Sequence, residues 1–122
     1  MLLLPHGRIL LVIGWILIAA TVYGSLAPDL PSLGFNIGDK ARHFLGYFIL
    51  MLWFSGLYPR ERHLLLGVAF LFMGAALELV QGALTTTRDM DLGDLGMNAL
   101  GIATAFQLAR VGLGNWARRL DR

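Results

Sequence analysis

Asp39, His43 and Tyr47 recur at i, i+4 and i+8, Glu78 precedes Gln81 by three positions, and Asp91, Asp94 and Asn98 follow at i, i+3 and i+7. At 3.6 residues per turn, each set falls on one stripe of a helix. The chemistry open to these side chains is of two kinds. Aspartate, glutamate, asparagine and histidine together suit a divalent cation such as magnesium, calcium, manganese or zinc, although no spacing here is a recognised ligand signature. Alternatively His43, beside Glu78 or an aspartate, serves as a general base, while Lys40, Arg42 and Arg88 hold a phosphate or pyrophosphate. The structural alternative is that the groups only satisfy one another: Arg88 pairs with Asp91, Asp94 or Glu78, and Asn98 and Gln81 bond between helices.

The elements that must position them are apolar. Residues 9–27, 44–58, 64–84 and 95–109 form four hydrophobic runs, uncharged except for Glu78 in the third. A bilayer crossing takes roughly 20 helical residues, so the first and third runs suffice alone. The second and fourth reach that length only by drawing in polar ends, 39–43 or 59–60 for the second, and Arg110 on to Trp116 for the fourth, with the arginine snorkelling. With 57% hydrophobic residues, 15% charged residues and a mean hydropathy of +0.65, the chain lacks the polar surface of a soluble domain. The expected fold is all-α: one domain over residues 1–122, a polytopic membrane bundle of four transmembrane helices.

Charge sets its orientation. The N-terminus, the 59–63 loop and the C-terminal tail hold Arg8, Arg60, Arg62, Arg110, Arg118, Arg119 and Arg122, against Lys40, Arg42 and Arg88 on the other side. Seven against three places both termini in the cytoplasm. Ser25, Leu26 and Ala27 resemble a signal-peptidase site, but Pro28 directly after the cut disfavours cleavage, and an uncleaved first helix is expected. The net charge of +2 and pI near 9.5 are accounted for by topology, so no nucleic acid partner is expected.

Helix ends can be read locally. Pro28, Pro31, Gly34 and Gly38 break the chain after the first helix, and Asp39 suits the start of the second. Pro59 ends the second, the 60–63 segment turns into the third, and Asp91 or Asp94 opens the fourth. Gly101 and Ala105 continue the stripe that Asn98 begins, and Gly74 thins the third helix, so the third and fourth helices are expected to pack tightly. Tyr47, Trp53, Tyr58 and Trp116 read as interfacial anchors.

By the rise per residue, His43, Glu78 and Asn98 each lie within about 10 Å of the outer membrane boundary. A carboxylate at such depth is costly without a partner or a task. The absence of cysteine excludes disulfides, iron–sulfur clusters and thiol nucleophiles. His6 and His63 fall on the cytoplasmic side, away from His43, which disfavours haem.

Taken in order, Asp39-Lys40, His43-Phe44, Tyr47, Glu78, Gln81, Arg88, Asp94, Asn98 and Gly101 resemble the signature of the VanZ-like family of small bacterial membrane proteins, over residues 39–101. The resemblance implies a multi-pass protein of the bacterial inner membrane, in a family named for a member linked to teicoplanin resistance. It implies no particular reaction. The leading expectation is binding or processing of an anionic cell-envelope lipid or precursor at the outer leaflet, linked to glycopeptide or envelope-stress resistance. Two other readings stay open: a small proton-coupled drug transporter acting as an oligomer, and a non-catalytic packing partner of a larger envelope enzyme.

Overall fold

The computed structural model describes residues 7–26, 36–84, 92–114 and 116–119, and among these every regular element is helical. Helix α1 (Gly7–Leu26) is apolar on all sides after Arg8. Its surface leaves Ile9, Val12, Trp15, Ile16 and Tyr23 exposed. Thr21 hides its hydroxyl by donating to the Leu17 carbonyl at 2.9 Å. Where α1 crosses its neighbour, Gly14 makes room for a ring: a Cβ there would stand 2.6 Å from Phe54 Cζ.

Helix α2 (Asn36–Leu57) is the central rod, in contact with every other helix. Tyr47, Leu50, Met51, Phe54 and Leu57 form a buried stripe along it and supply five of the nine buried residues of the apolar core cluster. The helix begins before Asp39, so its polar entrance is part of the rod and its 22 residues reach about 33 Å. Pro59, extended at φ −67° and ψ 162°, ends this run. A 3₁₀ turn (Arg60–Arg62) then leads into α3 (His63–Leu84). His63 is buried at this corner and its Nε2–H donates to the Tyr58 carbonyl at 3.0 Å.

Two segments, Gly7–Gly24 and Arg60–Val80, are long and apolar enough to cross a membrane by length and composition. Helix α4 (Leu92–Leu108) opens with Asp94 in its first turn, where a carboxylate meets the positive end of the helix dipole.

The principal partner of α4 is α2, and the expected packing of α4 against α3 is present beside it, less extensive. A Cβ on Gly101 would collide with the Phe44 carbonyl, and Ala105 is fully buried. The small-residue stripe therefore lets the α2 and α4 backbones approach. Glycines of α3 meet α4 from the other side, Gly67 against Ile102 and Gly74 against Asn98.

The fourth helix does not run on to Trp116 as its hydropathy suggested. It passes into a π turn (Ala109–Leu113), where Gly112 takes φ 140°, a conformation L side chains rarely adopt, and the Gly114 N–H donates to the Ala109 carbonyl. The chain then folds back as α5 (Trp116–Arg119) onto α2. Arg110 stays exposed and lies over the Phe106 ring, 4.7 Å from its centroid.

Two tryptophans read as interfacial anchors, both half-buried, also tie the helices together. Trp53 donates from Nε1 to the Leu10 carbonyl at 2.9 Å, and Trp116 donates to the Leu52 carbonyl at 2.8 Å. Their rings pack 4.8 Å apart, and the Trp116 indole occupies the space beside Gly56 where any Cβ would sit. An indole N–H held among apolar residues needs an acceptor, and these carbonyls supply one.

Candidate functional site

The polar residues converge where α2 and α4 begin and α3 ends. His43 is seven residues into α2, Glu78 six short of the end of α3, and Asn98 six into α4. Each therefore lies about 10 Å from its helix end. Glu78, Asp94, Asn98 and Tyr47 are buried, at 3%, 6%, 2% and 2% exposure, and His43 is partly buried.

Two contacts define the centre. The ring nitrogens of His43 face different partners, Nδ1 lying 3.0 Å from Asn98 Oδ1 and Nε2 3.5 Å from Asp94 Oδ2. The amide oxygen can only accept, so Nδ1 carries a hydrogen toward Asn98, while Nε2 faces the Asp94 carboxylate and donates to it whenever the ring is protonated. A carboxylate oxygen of Glu78 joins them, and the three potential ligand atoms of His43, Glu78 and Asp94 lie within 4.8 Å of one another.

Gly74 shapes the floor of this centre. A Cβ there would stand 2.9 Å from the Asn98 amide nitrogen and 3.3 Å from the Tyr47 hydroxyl. The absent side chain leaves the volume in which those two polar groups meet α3. Gly101, one turn beyond Asn98, brings α4 close enough to α2 for the His43 to Asn98 hydrogen bond.

Of the residues singled out by sequence, the structure thus brings together His43, Glu78, Asp94 and Asn98, with Tyr47 beside them. Asp39 and Lys40 stand in the first turns of α2 and Gln81 in the last turn of α3; their side chains, and Arg88 and Asp91 altogether, lie outside the described residues. Arg42 is exposed next to His43 in sequence. Gly14 and Gly56, which seat Phe54 and Trp116, were not legible as packing sites, since a glycine in an apolar run names no partner.

Chemically, the arrangement is an imidazole of fixed tautomer aimed at two buried carboxylates. It can exchange a proton or share a cation. No protein-family model, curated protein or solved structure matches this chain.

Proposed function

We propose that this chain is a VanZ-like integral protein of the bacterial inner membrane, with four crossings and both termini cytoplasmic, that binds or processes an anionic envelope lipid or precursor at the outer leaflet. The observation that carries this reading is the convergence of His43, Glu78 and Asp94 at one end of an otherwise apolar bundle. Buried carboxylates in a low-dielectric surround are expensive to maintain and serve no packing need that a leucine would not meet.

The outward surface supports the membrane setting: Phe72 of α3, Leu100 of α4 and Val111 of the π turn are as exposed as the apolar residues of α1. By the charge count, the converging ends of α2, α3 and α4 are the extracytoplasmic ones. Lys40, Arg42 and Arg88 belong to that end by sequence, within reach of lipid phosphates.

The test is a strain lacking the chromosomal copy, complemented by the wild-type chain or by His43→Ala/Glu78→Ala/Asp94→Ala. The triple variant is expected to lose protection against glycopeptide or envelope stress at an unchanged protein level. Equal protection by both chains would remove the basis for the proposal.

A further inference from the structure

One potential ligand atom from each of His43, Glu78 and Asp94 lies within 4.8 Å of the other two, close enough for all three to share one ion. His43 is oriented for ligation: its Nδ1–H is occupied by Asn98 Oδ1 at 3.0 Å, and this is how metal-bound histidines are commonly held, with the second nitrogen donating to an oxygen. The freed Nε2 then meets Asp94 Oδ2 at 3.5 Å. That separation is long for a charge-assisted N–H···O bond, which closes to about 2.7–2.9 Å. It suits two ligands of one ion, because metal bonds of about 2.0–2.1 Å at a tetrahedral angle set neighbouring ligand atoms roughly 3.3 Å apart.

Glu78 completes the set within 4.8 Å. Each carboxylate has two oxygens and about four lone-pair sites, so it can ligate an ion while keeping another partner. We propose that His43 Nε2 and one carboxylate oxygen each from Glu78 and Asp94 ligate a single divalent cation of the zinc type, with Asn98 as the positioning residue that sets the imidazole tautomer. The imidazole favours zinc over magnesium or calcium, which prefer all-oxygen cages. Three protein ligands leave a fourth position for water or for an oxygen of an anionic headgroup, the pattern of working rather than structural zinc sites. In that last respect the inference rests on the envelope-lipid reading of the same centre.

The experiment uses the full chain purified in detergent micelles, stripped with chelator and titrated with zinc, and separately with cobalt as a spectroscopic probe. One ion per chain is expected, retained against excess magnesium, with the visible absorption of a four-coordinate cobalt site. Asp94→Asn and His43→Gln should lose this stoichiometry, and Asn98→Leu should weaken binding about 10–100-fold. Glu61→Gln, in the exposed turn at the opposite end, should bind as the wild type does.

Absence of a stoichiometric ion in the wild-type chain would overturn the site whether or not the variants fold. So would one ion per chain surviving in His43→Gln/Glu78→Gln/Asp94→Asn. If no ion binds while the triple alanine strain still loses protection, the metal site falls and the functional reading stands. Stoichiometric zinc with unaltered protection gives the opposite division.

Discussion

The Nδ1–H of His43 donates to the side-chain oxygen of Asn98 across 3.0 Å, so a residue of α4 decides which nitrogen of an α2 imidazole carries the proton. Asn98→Leu should leave that N–H without an acceptor inside the bundle, lowering stability by about 1–3 kcal/mol. Asn98→Asp keeps an acceptor and should be milder. Thermal unfolding of both variants in the same detergent checks the order; a leucine variant as stable as the wild type would show the bond to be incidental.

Gly101 faces backbone, so its neighbour cannot yield by rotating a side chain. Gly101→Ala should push α4 off α2 and cost about 1–3 kcal/mol, as overpacking does elsewhere. Gly46 has open space around it, and Gly46→Ala should not destabilise the fold. Parallel melting curves distinguish the two, and similar losses at both sites would contradict the close approach.

Gly112 is the joint on which α5 turns. Gly112→Ala forces φ 140° on a residue with a Cβ, at a cost of about 1–3 kcal/mol, and should loosen the hold on Trp116. In a Trp15→Phe background, which removes the exposed indole of α1, collisional quenching of the remaining tryptophans should rise. Unchanged quenching would mean that α5 stays docked without the glycine.

The lack of cysteine makes topology directly measurable. Arg88→Cys should react with a membrane-impermeant maleimide in intact spheroplasts, whereas Glu61→Cys should react only after lysis. The reverse pattern would invert the bundle, and labelling of both before lysis would rule out the four-crossing arrangement.

Much of the all-helical fold could be read from residue types because a 3.6-residue period and a run of aliphatics carry nearly all the information an apolar helix needs. The same period put His43 and Tyr47 on one stripe, and both turn toward the interior. Partner choice was not legible: Gly101 and Ala105 announce close packing without saying against what, and α2 rather than α3 fills the groove. The break after Leu108 was concealed by hydropathy, which scores Val111-Gly112-Leu113-Gly114 as a continuing apolar run although paired glycines permit a reversal. The packing role of Trp53 and Trp116 was illegible for a related reason. A tryptophan's place in the sequence names no acceptor, and only the fold could supply the Leu10 and Leu52 carbonyls that hold these two half-buried indoles.

The central place of α2 bears on biogenesis. Its polar entrance makes it the least hydrophobic of the four long helices, and its principal partner is the last of them to leave the ribosome. Until α4 emerges, His43 has neither Asn98 nor Asp94 beside it, and Glu78 waits with half its company missing. A chain that ends before Leu92 therefore leaves His43 and Glu78 without their α4 partners, and assembly of the centre waits for α4.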